Sequence, residues 1–141
     1  MADPRLALIA AVQGQGLADD GAPYPVVSLE AFFTGNTDLG SLGCNLTKHP
    51  GLPIFFETLA AIRKRPEVQS VLVEISEADP EDTNWPFSER VYIITSASAP
   101  QVQSWVAPLQ PSEVSSGWAN GVPPAAPELR PGMGVVAAWW D

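Results

Sequence analysis

Cysteine, histidine and cationic residues are all scarce in this 141-residue chain. It has one cysteine and one histidine, and its Lys plus Arg total of 7 stands against 16 Asp plus Glu, for a formal charge of -9. A single cysteine excludes an internal disulfide. The shortage of cations argues against binding to nucleic acid or to an anionic membrane, because both are bound through clusters of Lys and Arg.

Long apolar runs are missing as well. No stretch approaches the roughly 20 apolar residues that a membrane-spanning helix needs. Residues 6–12 are apolar, but they are too few and lack the cleavage site of a secretory leader. With 45% hydrophobic and 16% charged residues, the chain has enough apolar surface to fold. We therefore expect one cytoplasmic domain spanning residues 1–141.

Three segments have the spacing of amphipathic helices. The first begins at Pro4 with Asp3 as its N-cap, and the second begins at Pro53. The third follows Ser98, and Gln101 three residues later completes a capping box. These signals predict three helices, each with an apolar stripe facing the core.

Four segments favour strands because apolar residues alternate or β-branched residues cluster: 26–33, 68–77, 90–95 and 135–140. After the first helix the order is therefore β-α-β-β-α-β. This order predicts an α+β fold of ferredoxin-like topology, an antiparallel sheet with two helices on one face. The Pro- and Gly-rich residues 112–134 are expected to form irregular chain over the surface.

A sheet covered by helices on one side leaves its other face open. The residues predicted on that face are Glu30, Phe32, Leu72 and Glu74, joined by Tyr92 or Trp140. Three arrangements are compatible with such a mixed apolar and acidic surface. It binds a partner or a second copy, it is covered by the N-terminal helix or by residues 112–134, or it forms a ligand cleft.

Candidate catalytic groups are few. Glu30 and Glu74 are a possible carboxylate pair for general acid work, with ordinary solvent exposure as the default interpretation. Cys44 and His49 share one long loop and are a possible nucleophile and base, although a lone cysteine is more often a small buried hydrophobe. No complete catalytic motif accompanies them.

Cofactor and metal motifs are incomplete. The glycine-rich residues 35–43 do not match a phosphate-binding loop, and no cofactor is predicted. One histidine and one cysteine are too few for a zinc site built on such ligands. The acidic residues 79–82 lack the spacing of a calcium loop. We expect no metal.

The acidic turn between the second and third strands is the strongest signal for binding. Asp79, Glu81 and Asp82 lie beside Trp85, and a negative field attracts cationic surfaces. The composition resembles that of small acidic immunity or inhibitor proteins. The residues predicted to bind a partner are Asp79, Glu81, Asp82, Trp85, Phe32, Tyr92 and Trp140.

The sequence thus predicts a non-enzymatic protein-binding domain whose partner is a basic protein or a second copy. One alternative is a small enzyme or ligand binder with a cleft of carboxylates and aromatic residues on the open sheet face. Another is a structural interaction subunit that recognises its partner without charge. The salt dependence of binding separates the first and third possibilities, because surface charge attraction is screened within about 8 Å at physiological salt.

Overall fold

The computed structural model of the chain describes residues 3–17 and 23–141. Four α-helices and five strands are described within these ranges. In chain order they are α1 (Pro4–Gly14), β1 (Val26–Val27), α2 (Leu29–Phe33), α3 (Leu52–Arg63), β2 (Val68–Glu74), β3 (Arg90–Thr95), α4 (Ala99–Val106), β4 (Glu113–Ser116) and β5 (Gly134–Trp139). Short 3-10 turns lie at Leu39–Ser41 and Ala107–Leu109.

The three predicted helices are confirmed as α1, α3 and α4. The Asp3 carboxylate accepts a hydrogen bond from the backbone N–H of Arg5 at 2.9 Å and so caps α1. The capping box of α4 is complete: Ser98 Oγ accepts from the N–H of Gln101, and Gln101 Oε1 accepts from the N–H of Ser98. These caps satisfy backbone donors that a helix start leaves without partners.

The predicted first strand, residues 26–33, is wrong beyond Val27. Ser28 Oγ accepts from the N–H of Ala31 at 3.1 Å and begins the short helix α2. Leu29 and Phe32 are both fully buried, and a separation of three residues places them on one side of a helix. Local capping by Ser28 therefore overrides the alternating pattern.

All five strands form one antiparallel sheet in the order β1-β2-β3-β5-β4. The α+β class is confirmed, but the specific ferredoxin-like topology is not. Because β1 and β2 are antiparallel neighbours, α2 and α3 do not cross over between parallel strands. By contrast, β3 and β4 both pair antiparallel with β5, so the connection through α4 joins strands of the same direction. The strand β4 lies inside the segment that was predicted to be irregular.

The two sheet faces are covered differently. Side chains of α1, α3 and α4 pack against one face, which we call the helix face. The opposite face, here the second face, carries Val26, Tyr92, Ile94, Val135 and Ala137. Half-buried Trp118 and Met133 pack on it, and they belong to residues 117–133, which we call the strap. Of the arrangements considered from sequence, cover by the proline-rich segment is therefore the one observed.

Candidate functional site

The acidic loop, residues 77–87 between β2 and β3, borders a cleft of about 600 Å³. Four acidic residues line it: Asp38, Glu77, Asp79 and Asp82. The first comes from the segment before a 3-10 turn, and the other three come from the loop itself. We call this feature the acidic cleft.

Arg5 of α1 fastens the acidic loop. Its guanidinium donates to the carbonyl oxygens of Asn84 and Asp79, both at 2.7 Å, and to the carboxylate of Asp82 at 3.1 Å. The main-chain carbonyl of Asp82 accepts from Arg5 Nη2, the nitrogen that also contacts the Asp82 carboxylate. Arginine supplies several donors in a fixed plane, so one side chain holds several points of the loop. Sequence reasoning missed this role, because nothing near Arg5 in the chain indicates it.

Carboxylates also fix the local backbone of the cleft. Asp79 accepts from the N–H of Glu81 at 2.8 Å, and Asp82 accepts from the N–H of Asn84 at 2.9 Å. Such Asx turns let an aspartate replace a backbone turn hydrogen bond. Asp38 Oδ2 accepts from the N–H of Trp85 at 3.2 Å. Three of the four carboxylates, those of Asp38, Asp79 and Asp82, are thus held by backbone N–H groups.

The predicted aromatic anchors are mostly in the core. Trp85 is only 8% exposed, so it pins the acidic loop to the body instead of projecting from it. Phe32 and Trp140 were expected on the open sheet face, and this placement is wrong, because both are buried in the helix-face cluster. Tyr92 does lie on the second face, but it is fully buried there.

The two candidate catalytic glutamates lie apart. Glu30 is on α2, where Arg63 of α3 donates to both of its carboxylate oxygens at 2.7 and 2.6 Å. This hydrogen bonding from Arg63 lowers the pKa of Glu30 to about 2. Glu74 ends β2 on the second face and is 2% exposed. Glu30 is thus an ionised partner in a surface ion pair, not a proton donor.

Replacing Glu30 with glutamine should lower the stability of the fold at neutral pH but not at low pH. Because the folded pKa lies below the ordinary value of 4.5, the pair stabilises the fold above that pH and loses its effect as pH falls toward 2. We expect Glu30→Gln to lower the free energy of unfolding at pH 7 by about 0.5 kcal/mol, a small value because the pair is partly exposed to solvent. Urea denaturation at pH 7 and pH 2 measures this, with Glu57→Gln on α3 as control. A deficit that is unchanged at pH 2 would contradict the assignment.

His49 is tied to the backbone of its own loop. Its Nε2 donates to the carbonyl of Leu42 at 2.8 Å, and its Nδ1 accepts from the N–H of Gly51 at 2.9 Å. Its ring also contacts Phe55 of the helix-face cluster, with ring centroids 5.1 Å apart. Cys44 is exposed in the same loop. Both imidazole nitrogens are therefore engaged, and the ring serves loop structure.

A buried polar cluster surrounds Glu74 on the second face. The Tyr92 hydroxyl donates to Glu74 Oε2 at 2.6 Å, while Arg90 and Asn120 each donate to Oε1 at 3.2 Å. The same hydroxyl accepts from the N–H of Ala119. Burial, reinforced by the Glu74 carboxylate, raises the pKa of Tyr92 well above its ordinary value, so the phenol stays protonated. Two of these residues belong to the strap, so the Glu74 cluster joins strap and sheet.

Other possible sites are limited in the part of the chain that the structure describes. Within it no group of three His, Cys, Asp or Glu side chains is placed to hold a metal ion. None of its helices combines the length and apolar character needed to cross a bilayer. A second cavity, of about 270 Å³, lies between α2 and α3 and is lined largely by Phe33, Leu52 and Phe56.

The fold and the site define an α+β protein with a five-stranded antiparallel sheet and an acidic cleft. The chain belongs to the uncharacterized protein YfbO family, whose model matches residues 3–138. A similar relative is "Uncharacterized protein YfbO" of Escherichia coli (strain K12), which is 40% identical over 120 residues covering 84% of each chain. No solved structure matches the chain.

Proposed function

We propose that the chain is a non-enzymatic protein-binding domain that docks a basic segment of a partner protein in the acidic cleft. The observation that carries the proposal is that Asp38, Glu77, Asp79 and Asp82 all line one cleft of about 600 Å³. A cavity of this size is large enough to enclose whole side chains of a ligand.

Charge favours a cationic partner. The formal charge of -9 produces a negative field that speeds encounter with a basic surface. Within the cleft, Arg5 forms an ion pair with Asp82, while Glu77 and Asp79 are exposed to solvent. The loop carbonyls already accept hydrogen bonds from the Arg5 guanidinium, so arginine suits the chemistry of this loop.

The placement of the other candidate residues supports binding over catalysis. Glu30 is paired with Arg63, and both ring nitrogens of His49 are engaged by the backbone. Glu74 is hydrogen-bonded to Tyr92, Arg90 and Asn120 instead. The strap occupies the sheet face that a ligand cleft or a sheet-to-sheet dimer would use. Binding of a partner at the acidic cleft is therefore favoured over self-association through the second face.

A labelled arginine-rich peptide tests the proposal. We expect the double variant Glu77→Gln/Asp79→Asn to bind it about tenfold more weakly than wild type, because two surface charges that each contribute up to about 1 kcal/mol are removed. The introduced asparagine side chain retains an oxygen acceptor for the turn, so the loop should stay in place. Fluorescence anisotropy at several salt concentrations measures affinity and its dependence on ionic strength.

The matched control is Glu57→Gln/Glu113→Gln, which changes net charge equally at exposed sites outside the cleft. If docking occurs in the cleft, this control should lose less than about twofold in affinity. Equal losses in the two double variants would mean that the peptide responds to net charge alone, and the proposed site would be rejected.

A further inference from the structure

The strap is attached to the sheet through polar contacts near its two ends. At one end, the N–H of Ala119 donates to the Tyr92 hydroxyl, and Asn120 donates to Glu74, both at 3.2 Å. At the other end, the side chain of Gln69 donates to the carbonyl of Glu128 at 2.8 Å and accepts from the N–H of Arg130 at 2.9 Å. The first attachment is part-buried and the second is exposed.

Glycines with positive φ flank these attachments. Gly117 has φ +98° and Gly132 has φ +82°, and no described heavy atom other than the adjacent chain lies within 4 Å of a Cβ built at either position. Such positions favour glycine and leave room for the chain to change direction. The Gly117 N–H donates to the carbonyl of Val135 at 2.8 Å, so the sheet ends at this glycine. Between the two glycines, Pro123 is buried and Trp118 is half-buried, and most of the other residues are exposed.

Separation of the strap would leave the buried carboxylate paired. Glu74 keeps the Tyr92 hydroxyl and Arg90 as donors, because both of these residues are on β3 and remain with the sheet. Glu74 would lose only the Asn120 amide as a donor, and the Tyr92 hydroxyl would lose the N–H of Ala119. A buried charge without any partner would make opening far more costly.

We propose that residues 118–131 open and close as one unit about Gly117 and Gly132 while the sheet stays folded. The hydrogen bond from Asn120 to Glu74 stabilises the closed state. Opening would carry Trp118 away from the apolar second face, where its ring centroid lies 4.7 Å from that of Tyr92, while Met133 beyond Gly132 stays on that face. Segments that make few buried apolar contacts open at lower free energy than core strands, as local opening equilibria in native proteins show. The strap is thus a lid over a sheet face that is separate from the acidic cleft.

Hydrogen exchange of the folded, full chain followed by NMR tests the proposal. We expect the amides of Ala119 and Arg130 to exchange at least about 100-fold faster than that of Ile93 in β3, through local instead of global unfolding. Asn120→Ala should speed exchange at Ala119 about tenfold by removing a hydrogen bond to a carboxylate. The same variant should speed exchange of the Arg130 amide by the same factor, because the two ends open together. The side chain of Asn120 contacts Glu74 and has no contact with the Gln69 attachment.

Gln69→Ala is the reciprocal variant, because it releases the opposite end and should speed Ala119 as well. Ser104→Ala, on the exposed side of α4, serves as control and should leave both strap amides unchanged. If each variant accelerates only its own end, the strap frays at two places and is not a unit. If the strap amides exchange no faster than Ile93, there is no lid. Either result overturns the proposal.

Discussion

Replacing Arg90 with methionine is expected to lower the free energy of unfolding by about 3–5 kcal/mol, a loss typical of breaking a buried ion pair. Glu74 is 2% exposed, and the Arg90 side chain is 16% exposed. Without the guanidinium, the carboxylate would keep only neutral donors in a buried setting. Urea denaturation at pH 7 measures the difference from wild type.

The double variant Glu74→Gln/Arg90→Met separates loss of charge balance from loss of packing. It removes both charges, and the Gln side chain still offers an oxygen to the Tyr92 hydroxyl. We expect it to recover more than half of the stability lost in Arg90→Met, since a buried charge no longer lacks its counterion. A double variant as unstable as the sum of its single changes would show that the pair does not act as a unit.

Helix positions were predictable because their signals are local. Asp3 and Pro4 mark the start of α1, and Ser98 with Gln101 marks the start of α4, through contacts within three residues of the chain. Ser28 carries a similar local signal, but the alternating apolar residues after it favour a strand. The buried pair Leu29 and Phe32 has the spacing that distinguishes the helix from the strand.

Sheet order was not predictable from local pattern. The strand β4 is only four residues long, and just one of them, Val114, packs against the helix-face cluster. Pairing with β5 brings these residues into the sheet, and such pairing depends on contacts distant in sequence. The ferredoxin-like topology was predicted from element order alone, which does not specify which strands become neighbours.

The acidic cleft was predictable only in part. Asp79 and Asp82 stand out in the sequence because they crowd one turn, whereas Asp38 enters the cleft through the fold. Arg5 reaches Asp79 across 74 residues of sequence, and only tertiary packing of α1 creates that contact. The burial of Trp85 was not predictable either, because a tryptophan in a loop has the same sequence pattern whether it packs on the protein body or binds a partner.

Replacing Trp140 is expected to have the other large effect on stability. The substitution tests whether this residue is structural. It is 2% exposed, its ring centroid lies 5.5 Å from that of Phe55, and its Nε1 donates to the carbonyl of Leu109 at 2.7 Å. We expect Trp140→Ala to destabilise the fold by about 3–5 kcal/mol, because it opens a cavity between β5 and α3. The loss also leaves a buried carbonyl without its donor.

Trp140→Phe divides this effect into its two parts. Phenylalanine retains much of the ring packing but has no donor for Leu109, so we expect a smaller loss of about 1–3 kcal/mol. Thermal and urea unfolding of both variants measure these losses. Peptide binding at the acidic cleft, measured on the folded Trp140→Phe variant, should equal that of wild type. Unchanged stability together with weakened peptide binding would instead assign Trp140 to a binding surface, in conflict with its burial in the helix-face cluster.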